Sequence, residues 1–159
     1  MTYLKRFRAN ISLPWLCLAA AMTALIWGNS LVPGAGSSSI SLAVMEAAHG
    51  LLKAVGLPYA WVTNFLVRKT AHFTEYMVLG VLVAQAFDPE REVKRSSLVA
   101  TALACVLVPS IDETIQLFVS GRSGQVTDVL LDCCGATLGI VLRSLVVRVR
   151  TRAKRSPRS

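Results

Sequence analysis

The sequence predicts an all-α membrane protein: a four-helix transmembrane bundle with an additional amphipathic helix in the extracytoplasmic interface. Of the 159 residues, 53% are hydrophobic and only 16% are charged, against about 25% charged in an ordinary soluble domain. The apolar residues form four blocks of roughly 20 residues, the length that crosses the hydrocarbon of a bilayer. Basic residues alternate between rich and poor connections, as in multi-pass membrane proteins.

The elements follow one another within a single predicted domain, residues 1–147, with a basic tail at 148–159. The predicted spans are about 12–32, 64–87, 97–119 and 127–147. Turn formers at 33–39 end the first span, which is too long for a usual signal-peptide core and is predicted to be a retained anchor. Pro109 interrupts the third span.

Residues 40–56 predict the amphipathic helix. Glu46, His49 and Lys53 form one polar stripe on an otherwise apolar helix, a pattern typical of helices that lie in the membrane interface. His49 is interpreted as a solvated residue at headgroup level. Tyr59 and Trp61 follow as interfacial aromatic residues that lead into the second span.

The distribution of basic residues predicts the orientation. They are frequent before the first span, between the second and third, and after the fourth: Lys5, Arg6, Arg8, Arg91, Lys94, Arg95, Arg148, Arg150, Arg152, Lys154, Arg155 and Arg158. This pattern places both termini in the cytoplasm. The net charge of +8 therefore indicates a topology signal or contact with anionic headgroups, and no nucleic-acid partner is predicted.

Polar side chains in three spans fall at one predicted depth, in the outer half of the membrane. We expect them to line a shared pocket, because ionisable groups facing lipid would be costly. The pocket residues are Lys69, His72, Glu75, Tyr76, Asp112, Glu113, Gln116, Arg122, Asp128 and Asp132. Carboxylates this close would raise one another's pKa or recruit a cation. The spaced glycines Gly135 and Gly139, on the stripe of Asp128 and Asp132, would let a neighbouring helix approach closely.

The cysteines and the metal-ligand spacing assign no further chemistry. Four cysteines fall in apolar blocks and predict buried thiols rather than disulfides: Cys17, Cys105, Cys133 and Cys134. His72, Glu75, Asp128 and Asp132 offer nitrogen and oxygen ligands. No helix carries an H-E-x-x-H motif, however, so no metal is assigned and the cofactor is unknown.

The polar residues lie in two segments, "RKTAHFTEYMVLG" at 68–80 and "IDETIQLFVSGRSGQVTDVLLDCCGATLG" at 111–139. These segments resemble the VanZ-like family of bacterial integral membrane proteins. The family pattern falls on the ten pocket residues together with Gly135 and Gly139, and Asp132 stands where members often carry Asn. The resemblance implies a place in the bacterial cytoplasmic (inner) membrane and a role in the cell envelope. The family takes its name from a protein linked to teicoplanin resistance.

Three functions remain open at this stage. The pocket could act on the headgroup of a membrane lipid or lipid-linked precursor, as an acid–base hydrolase or transferase. The catalytic candidates are His72, Glu75, Asp112, Glu113 and Asp128, and the binding candidates are Lys69, Tyr76, Gln116, Arg122 and Asp132. Alternatively, the same pocket binds an amphiphile without turnover, or the polar network is purely structural. Protein partners are not predicted.

Overall fold

The computed structural model describes residues 11–89 and 95–155, with side chains described as far as residue 149. Within these residues the chain is all-helical. The five helices are α1 (Leu13–Ser30), α2 (Gly34–Ala54), α3 (Asn64–Phe87), α4 (Arg95–Gln116) and α5 (Val126–Arg155). The predicted basic residues at 5–8, 91–94 and 158 lie outside the described residues.

Three of these helices are long and apolar enough to cross a membrane: α1, α4 and residues 126–149 of α5. Their large apolar side chains are widely exposed on the surface of the protein, for example Leu18 on α1 and Leu103 on α4. Helix α3 has 24 residues but carries Arg68, Lys69 and Glu75 in its first half. Over residues 11–89 and 95–155 the structure therefore confirms an all-helical chain in which three helices have the length and composition of membrane spans.

The helix boundaries agree with prediction best at α3, whose bounds are those predicted for the second span. The Thr63 hydroxyl accepts a hydrogen bond from the Leu66 amide at 3.2 Å, and this N-cap begins α3 where the apolar block begins. Helix α5 runs on to Arg155 instead of ending near 147, because the basic tail consists largely of residues with good helix propensity.

The expected turn at 33–39 is wrong, because α2 begins at Gly34 directly after Pro33. The connection between α1 and α2 is therefore very short. Gly34 donates its backbone N–H to the Ser120 carbonyl at 2.9 Å. A Cβ at Gly34 would overlap the backbone of Gly121, so these small residues hold two loops together at one end of the bundle. A tertiary contact, rather than a local turn preference, sets the start of α2.

Helices α3 and α5 form the most extensive helix pair. A Cβ added at Gly80 on α3 would overlap the carbonyl oxygen of Ala136 on α5. Gly135 and Gly139 on α5 lie in the same way against the carbonyls of Phe73 and Met77. The backbones approach this closely only because these positions lack side chains. The prediction made from the spaced glycines of α5 is confirmed, and the polar stripe of α5 is directed toward α3.

Pro109 lies inside α4 without ending it. A proline has no N–H to donate to the carbonyl four residues earlier, here that of Cys105. The Cys133 thiol of α5 donates to this carbonyl at 3.4 Å. Trp27 of α1 donates its indole N–H to the neighbouring Val108 carbonyl at 3.3 Å. The helices beside α4 therefore supply hydrogen bonds where its backbone is disrupted.

Two polar side chains at the opposite end of the bundle, Gln85 and Arg143, contact one another. Arg143 of α5 is buried, donates to the Gln85 side chain at 2.8 Å, and also donates to the Asp88 carbonyl. In this way α5 holds the C-terminal end of α3, and the cation has partners within the protein.

Candidate functional site

The ends of four helices meet at the site. Helices α1 and α4 end there, whereas α3 and α5 begin there. Sequence positions far apart are joined at this level: Gln116 at the end of α4 donates to the Ser30 hydroxyl at the end of α1, at 3.4 Å. Lys69 of α3 pairs with Asp128 of α5. The predicted convergence of polar residues from different helices is therefore present in the structure.

Four of the predicted residues form what we call the buried carboxylate cluster: His72, Asp112, Glu113 and Asp132. Each contributes one potential ligand atom, and these four atoms lie within 4.8 Å of one another. Asp112 and Asp132 are 0% exposed and Glu113 is 5% exposed. The His72 Nδ1 lies 4.0 Å from Asp112 Oδ2 and 3.9 Å from Asp132 Oδ2. One imidazole from α3 thus faces carboxylates from α4 and α5.

Two neutral groups hold Glu113 in place. Its Oε1 accepts from the Gln116 side chain at 3.0 Å, and its Oε2 accepts from the Gln125 backbone N–H at 2.9 Å. The amide nitrogen of Gln116 also lies 3.5 Å from Asp112 Oδ2. Gln116 therefore bridges the two α4 carboxylates and links them to α1 through Ser30.

Other polar atoms in the cluster have no such support. Among the described residues, neither carboxylate oxygen of Asp132 has a hydrogen-bond partner, and neither has Asp112 Oδ1. The Tyr76 hydroxyl, on a fully buried side chain of α3, also lacks a hydrogen-bond partner. Buried polar atoms are normally satisfied, so these four atoms, three in the cluster and the Tyr76 hydroxyl beside it, distinguish this part of the protein from an ordinary packed core.

Lys69 and Asp128 form an ion pair at the border of the cluster. Their side chains are 25% and 16% exposed, and the Lys69 ammonium lies 5.3 Å from the centre of the Phe65 ring. Because Lys69 already contacts a carboxylate outside the buried carboxylate cluster, it contributes little to neutralising the cluster itself.

Arg122, in the loop between α4 and α5, binds the end of α1. Its guanidinium donates to the Val32 carbonyl at 3.0 Å and to the Asn29 carbonyl at 2.6 Å. A cation at a helix C-terminus is favourable because the last carbonyls lack partners and the helix dipole is negative there. Burial lowers the pKa of Arg122, and the charge of Arg68 lowers that pKa further. The side chain thus has a capping contact as well as a place in the site.

A cavity of about 1000 Å³ that is open to the surface of the protein lies between α1, α2 and α3. Most of its wall is apolar, with side chains such as Ile40 and Val44 of α2 and Val78 of α3. Polar residues also line it: the serines and threonines Ser37, Ser41, Thr70 and Thr74, and a group with charged or amide side chains and one imidazole, Asn29, Arg68, His72, Glu75 and Arg122. The Asn29 side chain donates to Glu75 Oε1 at 3.2 Å. His72 belongs to both the cavity wall and the buried carboxylate cluster, so its ring connects the two.

The ten residues predicted to share one pocket therefore occupy several neighbouring places. His72, Asp112, Glu113 and Asp132 form the cluster, with Gln116 and Tyr76 against it. Lys69 and Asp128 form a separate pair, while Glu75 and Arg122 line the cavity. The potential metal ligands also differ from those noted in the sequence, since Asp112 and Glu113 take the places of Glu75 and Asp128.

Sequence reasoning missed Asn29, Ser30 and Arg68. Asn29 and Ser30 end the apolar block of α1 and give the sequence signal of a helix terminus rather than of a site. Arg68 is a basic residue in the first turns of α3, a position that indicates topology rather than a site. In the structure, Ser30 is 1% exposed and accepts from Gln116, whereas Asn29 and Arg68 line the cavity.

These features define a class of protein: a helical membrane protein in which a histidine lies between a buried group of carboxylates and a largely apolar cavity. The family model VanZ/LLP1 matches residues 15–147, and the chain belongs to this family. The match includes every residue of the cluster and of the cavity wall. No curated protein and no solved structure matches the chain.

Proposed function

We propose that this VanZ-like protein binds an amphiphilic molecule of the bacterial cell envelope, either a membrane lipid or a lipid-linked precursor. The observation that carries the proposal is the cavity between α1, α2 and α3, of about 1000 Å³. A volume of this size accommodates a sizeable organic ligand. An apolar wall with polar groups gathered in one part suits a molecule that has both an acyl portion and a polar headgroup.

The polar part of the wall suggests how the headgroup is held. Arg68 and Arg122 offer guanidinium groups, which favour phosphate and carboxylate. Glu75 and His72 lie in the same wall and can accept hydrogen bonds from hydroxyl or amine groups. A zwitterionic or sugar-phosphate headgroup therefore fits this set better than a purely apolar ligand.

The position in the membrane is part of the proposal. Helix α3 would span the membrane in addition to α1, α4 and α5, and α2 would lie in the outer interface of the cytoplasmic membrane, with both termini in the cytoplasm. Supporting this, α3 packs along the span-like α5, and Glu46 and Lys53 of α2 are exposed. A fluorescent protein fused after residue 159 should fluoresce, because it would fold in the cytoplasm. In the variant Ser123→Cys, a thiol reagent that cannot cross the membrane should label the new cysteine when it is added outside the cell. The reverse pattern would overturn this orientation.

Bound ligand is the direct test of the proposal. The protein should be purified in mild detergent and its lipids extracted and identified by mass spectrometry. Ala48 lines the cavity, so Ala48→Trp should fill it and remove the retained lipid. Ala47 is the exposed neighbour on α2, so Ala47→Trp is the matched control and should keep the lipid. Equal retention by the two variants would place any bound lipid outside the cavity and sink the proposal.

Acid–base chemistry on the bound headgroup is a second candidate, and the position of His72 favours it. The His72 ring lines the cavity while its Nδ1 faces Asp132 at 3.9 Å, as a general base faces the group that orients it. Incubation of the purified protein with bacterial lipid extract separates the alternatives. An enzyme changes the mass of many lipid molecules per protein over time, whereas a binder retains them unchanged.

A link to teicoplanin would be a consequence of envelope binding in this proposal. Expression in a susceptible bacterium should then alter the concentration of teicoplanin that stops growth. Ala48→Trp should abolish the change, and Ala47→Trp should preserve it at equal membrane abundance. A response that is the same for both variants would separate susceptibility from the cavity.

A further inference from the structure

The buried carboxylate cluster has the geometry of a metal site. Its four ligand atoms come from three helices, His72 on α3, Asp112 and Glu113 on α4, and Asp132 on α5, and all lie within 4.8 Å of one another. Atoms that bind a common ion at about 2.0–2.2 Å must lie roughly within twice that distance of one another. Only small side-chain adjustments would bring all four around one ion.

The charge of the cluster also favours a cation. Three carboxylates lie together with almost no exposure to solvent, and buried charges without compensation are strongly unfavourable. The nearby lysine and arginine side chains are engaged elsewhere: Lys69 pairs with Asp128, and Arg122 binds the carbonyls at the end of α1. A divalent ion would offset most of the formal negative charge.

The unsatisfied oxygens provide an independent indication. Asp132 is 0% exposed, and among the described residues both of its carboxylate oxygens lack a hydrogen-bond partner. Asp112 Oδ1 is likewise without one. Gln116 and the Gln125 N–H meanwhile orient the Glu113 carboxylate from outside, as supporting groups orient metal ligands. Hydrogen bonds from outside the cluster thus orient Glu113, whereas the Asp132 and Asp112 oxygens inside it lack hydrogen-bond partners.

We propose that His72, Asp112, Glu113 and Asp132 bind one divalent transition-metal ion, of the class Mn²⁺, Fe²⁺ or Zn²⁺. Three carboxylates favour a hard cation, and the imidazole favours a transition metal over Mg²⁺ or Ca²⁺. The ion would join α3, α4 and α5 at one end of the bundle. The His72 ring would lie between this ion and the cavity. The metal proposal therefore does not depend on which amphiphile the cavity binds.

The first experiment measures metal in the wild-type protein. The protein is purified in detergent with an affinity peptide that lacks histidine and cysteine, and its metals are quantified by mass spectrometry. We expect about one transition-metal ion per chain, and a lower melting temperature after chelation that added Mn²⁺ or Zn²⁺ restores. Folded wild-type protein that holds only traces of metal, and does not respond to either ion, would overturn the proposal and indicate that protons neutralise the carboxylates.

A pair of matched variants assigns the site. Asp112→Asn removes a ligand charge at constant shape and should weaken metal binding at least about tenfold, the scale seen when metal sites are perturbed. Asp128→Asn makes the same change at an acid that pairs with Lys69 and lies outside the cluster, and it should keep the metal. Equal affinity of the two variants would contradict the assignment.

A spectroscopic measurement tests the histidine without relying on stability. The paramagnetic resonance of protein loaded with Mn²⁺ should show coupling to one imidazole nitrogen, and this coupling should disappear in His72→Gln. His49, the chain's other histidine, donates from Nε2 to the Val62 carbonyl at 2.8 Å and serves as the control. Coupling that survives in His72→Gln but is lost in His49→Gln would refute the proposed ligand set.

Discussion

The thiol of Cys133 on α5 donates a hydrogen bond to the backbone carbonyl of Cys105 on α4 at 3.4 Å. This carbonyl is the one that Pro109 leaves without its helical N–H donor. In the apolar interior of a membrane protein a backbone group must find its partner within the protein. A cysteine that reads in the sequence as a small apolar residue is therefore also a hydrogen-bond donor.

This relationship predicts the effect of Cys133 substitutions. Cys133→Ala should lower the free energy of unfolding by about 1 kcal/mol, the scale of an unsatisfied buried acceptor, whereas Cys133→Ser retains a donor and should cost less. In a Pro109→Ala background the helix regains its own N–H, so the difference between the two Cys133 variants should shrink. Thermal unfolding in detergent measures this, and an unchanged difference would contradict the explanation.

The close packing of α3 and α5 predicts a large effect of one methyl group. A Cβ at Gly139 would overlap the Met77 carbonyl oxygen, so Gly139→Ala should destabilise the protein by about 1–3 kcal/mol through overpacking. Gly50 on α2 has open space around it, and Gly50→Ala should be neutral or stabilising by up to about 1 kcal/mol because alanine favours helix. The measurement is the unfolding midpoint of each variant in detergent. Equal midpoints for Gly139→Ala and Gly50→Ala would argue against close packing at Gly139.

The cap on α1 predicts that arginine and lysine are not equivalent at position 122. The Arg122 guanidinium reaches the Asn29 and Val32 carbonyls together, which a single ammonium group cannot do with the same geometry. Arg122→Lys should lose about 1 kcal/mol of stability, and Arg122→Met should lose about 1.5–3 kcal/mol, the value of hydrogen bonds to charged groups. Hydrogen exchange at the end of α1 should rise in the same order. Wild-type protection in Arg122→Met would exclude the capping role.

The amide of Gln116 predicts a charge effect. Gln116→Glu would add a carboxylate between Asp112 and Glu113 in place of a donor, and an uncompensated buried charge costs about 3–5 kcal/mol. Gln125 offers a matched control, because its side chain is exposed and only its backbone N–H contacts Glu113. Gln125→Glu should therefore change stability by less than about 0.5 kcal/mol. Thermal unfolding of both variants checks this, and similar losses would mean that general negative charge, not the bridge, is responsible.

The residues that the sequence placed in one pocket lie near one another in the structure, but in an arrangement that the sequence did not indicate. The sequence placed His72, Asp112 and Asp132 in one pocket with seven other residues, because helix periodicity puts each on the polar face of its span. It did not separate Asp128 from Asp132, although both fall on one stripe of α5. The choice of Lys69 as the partner of Asp128 depends on the depth of α3 relative to α5. That depth is set by backbone contacts of Gly80, Gly135 and Gly139, which are not local.

The cavity could not be predicted at all. Its wall includes Val44 and Ala48 of α2 together with Met22 of α1 and Val78 of α3. A volume is a property of the gaps between helices, and no single helix carries a signal for it. The start of α2 at Gly34 is a similar case, since the contact with Gly121 outweighs the turn preference of the segment.

The sequence by itself determined the membrane class, the extent of α3 and the polar face of each helix, because hydropathy and periodicity are properties of contiguous residues. The tertiary structure alone decided which carboxylates share a cluster, which one pairs with Lys69, and that an apolar cavity adjoins His72. These depend on the rotation and relative depth of whole helices, and the contacts that set them join residues far apart in the chain.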